Sequence, residues 1–177
     1  MPKYVIICDI DNCYTDSREW IKHVPESHDR KAWDEYQALH YLCKPNPSVI
    51  NLLCATEELL PIYFVTSRED RGDVKQYTID QIEKFSNGKI KLTGKTHHRL
   101  YMRKEFDYRH SDVVKEEILK EIVSEKHIPI LAIDDELTNC EMFKKYKIPT
   151  NKYDINTDTM TKYYVLESPD MAENSNN

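Results

Sequence analysis

The sequence predicts a three-layer α/β fold, a parallel sheet with helices on both faces, and three observations predict it. Short, unbroken runs of β-branched and aromatic residues stand at 4–8 (YVIIC), 62–65 (IYFV) and 130–133 (ILAI), the pattern of strands buried on both faces. Segments of helical spacing lie between them. Each run ends on a polar residue, Asp9, Thr66 or Asp134. In open parallel sheets, ligands gather beyond the carboxyl ends of the strands.

In chain order, the first strand is followed by about forty residues before the next helix, well past the usual loop length. Within them, 29–42 (DRKAWDEYQALHYL) has helical periodicity, with Trp33, Tyr36, Leu39 and His40 on one face. This segment either caps a site or packs on the core; we place the insertion at about 13–46. Residues 47–60 open with proline, suited to a first helical turn. Residues 73–85, 113–126 and 138–146 also read as helices. Residues 1–166 are expected to form one domain, and the polar stretch 167–177 (ESPDMAENSNN) to be disordered.

At 177 residues the chain can build one proper core. The run at 4–8 is far too short to span a membrane and lacks the flanks of a signal peptide, so a cytoplasmic placement is expected. Five cysteines without CxxC spacing argue against a zinc site or a disulfide framework. A formal net charge of −6 argues against a broad nucleic-acid-coating surface. A local basic stretch remains at Lys95, Arg99, Arg103, Lys104 and Arg109, read as a solvated loop or as a groove for phosphates.

The chemistry gathers at the strand ends. Asp9 and Asp11 stand two residues apart after the first strand, and Asp134 and Asp135 follow another. Carboxylates converging this way repel unless a cation sits among them, and oxygen donors suit magnesium. Lys115 lies in the first turn of a helix opening at Ser111 or Asp112, where the macrodipole disfavours a cation. It needs an anion nearby: either Asp112 or the carboxylate cluster. Because it works against the dipole, its removal is expected to cripple catalysis while sparing stability.

The segments DIDNCYTD, FVTSRED, DVVKEEI and LAIDDE resemble, in order and spacing, the four motifs of the haloacid dehalogenase (HAD) superfamily. The likeness extends furthest toward phosphatase domains of bacteriophage-type polynucleotide kinase–phosphatases, through LYMRKEFDYRHSDVVKEEIL and LAIDDELTNCEMFKKYKI. The resemblance implies a Rossmann-like fold with a small helical cap and a magnesium-dependent phosphatase. Asp9 would be the nucleophile and Asp11 the acid–base, with Thr66 and Lys115 on the transferring phosphoryl group. Magnesium would be held by Asp9, the Asp11 carbonyl and Asp135, with Asp134 positioning its water. Ser67, Arg68, Arg103 and Arg109 would bind substrate. Asn12 and Cys13 stand where the family usually has Gly-Thr, Ser67 replaces a common glycine, and Ser111 replaces a frequent acid.

The expected substrate is a 3′-phosphate at a DNA or RNA end; the alternative is a free nucleotide, as for a 5′-nucleotidase. Other chemistries fit less well. Cys13 and Arg18 enclose Tyr14, Thr15, Asp16 and Ser17, one residue short of a cysteine-phosphatase loop. The glycines Gly72, Gly88 and Gly94 form no phosphate loop, so no kinase unit is expected in this stretch. Oligomeric state is left open.

Overall fold

A computed structural model describes residues 3–26 and 29–166. The segment 167–177, expected to be disordered, lies outside the described residues. Strand β1 (Lys3–Cys8) is central, between β4 (Ile62–Glu69) and β6 (His127–Asp134). The sheet runs β5-β4-β1-β6-β7-β8, with β5 at Arg99–Arg103, β7 at Thr150–Asp154 and β8 at Thr159–Tyr164. All neighbours are parallel except the β7–β8 pair. Strands β2 (Thr15–Asp16) and β3 (Lys44–Pro45) form a separate antiparallel pair.

Alternation along β1 divides the core. Ile6 and Cys8 join Phe64 and Ile133 under α2 (Pro47–Thr56) and α3 (Gly72–Phe85), which contribute Val49, Ile50, Leu53 and Ile82. Val5 and Ile7 join Tyr63, Val65 and Ala132 under α4 (Ser111–Ser124) and α5 (Leu137–Lys145), which contribute Val114, Ile118, Leu119 and Phe143. Each central strand therefore buries both faces, which is why its sequence is continuously apolar. The α/β architecture with a mostly parallel sheet is the one the sequence predicts.

Register brings the polar strand ends together. Cys8 is opposite both Phe64 and Ile133, so Asp9, the residues following Phe64 and Asp134 emerge at one edge. The Asp9 N–H donates to the Ile133 carbonyl at 2.9 Å, holding β1 against β6 where the chain leaves the sheet. Helix α1 (Arg30–Leu39) begins at Asp29, whose carboxylate accepts the Ala32 N–H, and ends in a short 3₁₀ turn at His40–Leu42. It docks on α3: Gln81 Nε2 donates to the His40 carbonyl at 2.7 Å, and the Tyr77 hydroxyl donates to the Gln37 carbonyl. Among the described residues, no helix is long and apolar enough to cross a membrane.

Candidate active site

The turn after β1 sets the geometry. Asn12 has φ +56°, in the left-handed region that favours glycine. Asparagine tolerates this conformation better than other side chains. Its Oδ1 also accepts from the Ser17 hydroxyl at 2.8 Å and from the Ser17 N–H at 3.3 Å. The chain thus turns sharply, projecting Asp9 and Asp11 from the same strand end.

On the β6 side, Lys115 Nζ donates to Asp9 Oδ1 at 2.6 Å and to Asp134 Oδ2 at 2.8 Å, with all three residues buried. Of the two anions open to Lys115 in the sequence, the structure selects the cluster; Asp112 pairs instead with His110 Nδ1 at 2.7 Å. Asp134 is anchored further: its Oδ1 accepts from the Glu136 N–H at 3.1 Å and Asn139 Nδ2 at 2.9 Å. Asn139 Nδ2 also donates to Ser111 Oγ at 3.2 Å, which accepts from the Ser67 hydroxyl at 2.9 Å. Ser67 therefore reaches the cluster through Ser111 and Asn139.

Burial pushes the Asp9 carboxyl well above its usual range, against the pull of Lys115 and with the repulsion of Asp134, Asp135 and Asp11. Burial likewise lifts Asp135 to about 7, helped by Asp134 and opposed by Lys115. Lys115 is held charged: burial works against it, but Asp134 and Asp9 overcome that. Carboxylate oxygens of Asp9, Asp134 and Asp135 lie within 4.8 Å of one another. Fully ionised, three carboxylates against one ammonium would leave an excess of two negative charges, which adds to burial in raising the proton affinities of Asp9 and Asp135. An all-oxygen set with that deficit fits a hard divalent cation.

The burial of Lys115 corrects the stability expectation drawn from the helix dipole. Removing it would leave Asp9 and Asp134 buried and facing each other without a cation, a costly state.

Asp11 sits in the opposite environment. Arg68 grips it with two prongs, Nη2 to Oδ1 at 2.7 Å and Nε to Oδ2 at 3.0 Å. Burial alone would raise the Asp11 carboxyl; Arg68 and then His40 hold it far below its usual range. His40 Nδ1 lies 3.1 Å from Asp11 Oδ1, off the line of a good hydrogen bond yet close enough for electrostatic support. Arg68 Nη1 donates to Thr78 Oγ1 at 3.1 Å and Gln81 Oε1 at 2.8 Å, and Nη2 reaches Thr15 Oγ1 at 3.4 Å. With no N–H to spare and 1% exposure, Arg68 is placed as the clamp on Asp11, not on a substrate phosphate as expected. A second ligand-like group, Asp11, His40 and Cys43, has this guanidinium against it and is unsuited to a cation.

The Thr66 hydroxyl accepts the Arg68 N–H at 3.2 Å, leaving its proton for another acceptor. Arg103 and Arg109 are committed within the chain. Arg103 donates to the carbonyls of Ser67 at 2.9 Å, Asp107 at 2.7 Å and Arg109 at 2.5 Å, and so shapes the segment 104–110. Arg109 is bonded to Asp107 and Glu117. Both line a cavity of about 490 Å³; Arg109 is already paired with carboxylates, whereas Arg103 bonds only to backbone carbonyls. The sequence reading missed Asn139, Ser111 as a relay, and His40 as a partner of Asp11. Only His40 had a signal: it shares one face of the helical segment 29–42 with Tyr36.

A carboxylate pair at one strand end, a threonine at the next, a buried lysine bridging to acids at the third and a mostly parallel sheet define a haloacid dehalogenase-type hydrolase. Residues 3–156 match the model of the polynucleotide kinase PNKP phosphatase domain, and the chain belongs to that family. No match is found among curated proteins. Among solved structures, it is similar to a chain of a Pnkp1/Rnl/Hen1 complex, at 16% identity and a TM-score of 0.62, over 85% of this chain and 46% of that one. It is also similar to the class C acid phosphatase of Bacillus anthracis, at 18% identity and a TM-score of 0.54, over 83% of this chain and 62% of that one. A third relative, a HAD family enzyme from Bacteroides thetaiotaomicron in complex with magnesium and inorganic phosphate, is 13% identical with a TM-score of 0.51, over 88% of this chain and 96% of that one. The chain spans less than half the length of the Pnkp1 structure it matches.

Proposed function

We propose that this chain hydrolyses phosphomonoesters through a phosphoryl group carried on Asp9, acting on 3′-phosphorylated polynucleotide ends, with residues 13–46 as its cap. The carrying observation is the buried Lys115 bridge between Asp9 and Asp134 beside Asp135, a site with a charge deficit that a phosphoryl group and a divalent cation together would occupy.

In the first step, an Asp9 carboxylate oxygen attacks phosphorus and the bond to the leaving oxygen breaks. Asp11 supplies the proton to that oxygen. Arg68 holds Asp11 ionised, so an arriving phosphate dianion must raise its proton affinity by like-charge repulsion. In the second step, water attacks phosphorus, Asp11 takes its proton, and the bond to Asp9 breaks to release inorganic phosphate. Lys115 and the Thr66 hydroxyl face the charge that builds on the transferring oxygens. Asp9, Asp135 and the Asp11 carbonyl would hold magnesium, which supplies charge neutralisation at the phosphoryl oxygens.

The family match supports a polynucleotide end as substrate, and so does the fold shared with Pnkp1, seen in an RNA repair complex. The cavity beside Asp11 favours a second reading, a free nucleotide, because about 490 Å³ holds one nucleotide and not a run of them. Asp9→Asn should lower turnover by about a thousandfold or more while leaving the fold intact, since the amide is isosteric but cannot carry phosphate. The assay compares 3′-phosphorylated oligonucleotides with 3′- and 5′-mononucleotides, with and without chelator. Near-normal turnover by the variant, or full activity in chelator, contradicts the proposal; a mononucleotide advantage selects the second reading.

A further inference from the structure

The sheet carries a second feature at the end opposite Asp9 and Asp134. Strand β6 starts at His127, but β7 pairs with it only from Ala132 onward, so residues 128–131 have no strand on that flank. A groove of about 410 Å³ opens beside them. Its floor is Leu119 of α4 and Ile148, just before β7, both buried. Its rim is Val123, Ile128, Ile130 and Leu166, which are 50%, 41%, 38% and 53% exposed. Large aliphatic side chains open to water around one groove mark a docking surface, whereas apolar residues scattered singly do not.

The charge around the groove says what would cover it. Lys147 lines it, Lys126 immediately precedes His127 of its lining, and Lys3 stands opposite His127 in the β1–β6 register. All three lysines are exposed, and none is paired with an acid among the described residues. The acid nearest in sequence, Glu125, is taken up by Arg99. In a chain of net charge −6, the groove is therefore a locally basic place. A second copy docked about a two-fold axis would bring these lysines against their own kind, which repels. Residues 167–177 continue from Leu166 and are acidic, but they offer one large apolar side chain, Met171, too little to cover the rim.

We propose that this groove docks an acidic amphipathic helix of another protein, with its apolar stripe on Leu119, Val123, Ile128 and Ile130 and its carboxylates toward Lys126 and Lys147. Helix-in-groove contacts are built from a short run of apolar anchors at helical spacing, and the groove has room for one such stripe. Complementary charge sets the approach and its salt dependence; the buried apolar anchors supply most of the affinity. Because the groove lies at the start of β6 and Asp134 at its end, a docked partner leaves the carboxylate cluster open. The inference goes beyond the phosphatase reading and does not depend on it.

Three labelled peptides, titrated against the full chain by fluorescence anisotropy, test it. The first carries leucines at i, i+3, i+4 and i+7 with glutamates elsewhere, the second has lysines in place of the glutamates, and the third scrambles the first. The acidic amphipathic peptide should bind at least about tenfold more tightly than either control, and less tightly as salt rises. Ile128→Glu and Val123→Ser should each weaken it by about tenfold. Lys147→Glu should weaken it too, and improve binding of the basic peptide. Thermal unfolding of each variant checks the fold; if Ile128→Glu is unfolded, Val123→Ser, at a half-exposed helix position, decides. No binding of the acidic peptide, equal binding of all three, or binding indifferent to these variants overturns the proposal. The free chain should sediment as a monomer. A dimer that Ile128→Glu dissociates would assign the groove to a second copy and overturn it. Overhauser contacts from Met171 to the Ile128 and Ile130 methyl groups would assign the groove to residues 167–177, with the same consequence.

Discussion

Asp9 and Asp11 leave the same strand end two residues apart, and the protein treats them in opposite ways. Asp9 shares one lysine with Asp134 in a cluster that carries more negative charge than it cancels. Asp11 has a whole guanidinium to itself, fixed from behind by Thr78 and Gln81. Burial raises both carboxyls, but only Asp11 has partners strong enough to reverse the effect. The difference separates the roles of two chemically identical side chains. Under the proposed function, the under-compensated side would take the phosphoryl group and a cation. The balanced side is a fixed carboxylate at the mouth of the cavity, where the alcohol would depart.

Breaking the first side has the larger effect. Lys115→Ala should abolish turnover and also cost about 3–5 kcal/mol in stability, because two buried carboxylates lose their cation. The loss should shrink on acidification toward pH 5, as one of the pair takes up a proton, and on adding magnesium. Urea unfolding across pH reads this directly. Unchanged stability at pH 7 would mean the bridge contributes nothing and would restore the dipole-based expectation.

Breaking the second side has a smaller effect, one that also shrinks in acid but at lower pH. Arg68→Lys keeps a charge but loses the fork, and should cost about 1–3 kcal/mol through unsatisfied Thr78, Gln81 and Asp11. The sign follows from Asp11, whose carboxyl is lower in the folded than in the unfolded chain. Its contribution is present above the unfolded value near pH ~4 and is lost as pH falls through the depressed folded value. The gap between wild type and Arg68→Lys should therefore be full at pH 7 and shrink only as pH falls below about 4. A gap that widens in acid would show that Arg68 does not act through Asp11.

Smallest of all, Arg109→Ala should change stability by less than about 1 kcal/mol, since its pairs with Asp107 and Glu117 are exposed. Activity on an oligomer should fall little and keep its salt dependence. A large, salt-sensitive loss specific to oligomers would reinstate Arg109 as a phosphate contact.

The parts of the molecule legible in the sequence share one physical property: burial on both faces. Strands β1, β4 and β6 announce themselves as continuous apolar runs, and their ends name Asp9, Thr66 and Asp134. Lys115 is legible because a cation in a first helical turn is out of place. Strand β5 was not legible. Its RLYMR sequence reads as basic, yet it pairs along β4 at the sheet edge, where one flank faces solvent and charge is tolerated. The β7–β8 hairpin hides for the same reason, in polar sequence at the opposite edge. The roles of Arg68 and Arg103 could not be read from residue type. A guanidinium suits a phosphate, a carboxylate or a backbone carbonyl equally, and only the fold chooses among them.

The central claim, that Asp9 carries the phosphoryl group, is tested most directly by trapping it. Wild type is mixed with a 3′-phosphorylated oligonucleotide labelled in the terminal phosphate, quenched in acid within a single turnover, and the labelled peptide mapped. The account predicts an acid-stable, hydroxylamine-sensitive phosphoryl group on the peptide containing Asp9, absent in Asp9→Asn. Release of phosphate in the first turnover with no covalent label, or a label on a peptide lacking Asp9, would contradict it.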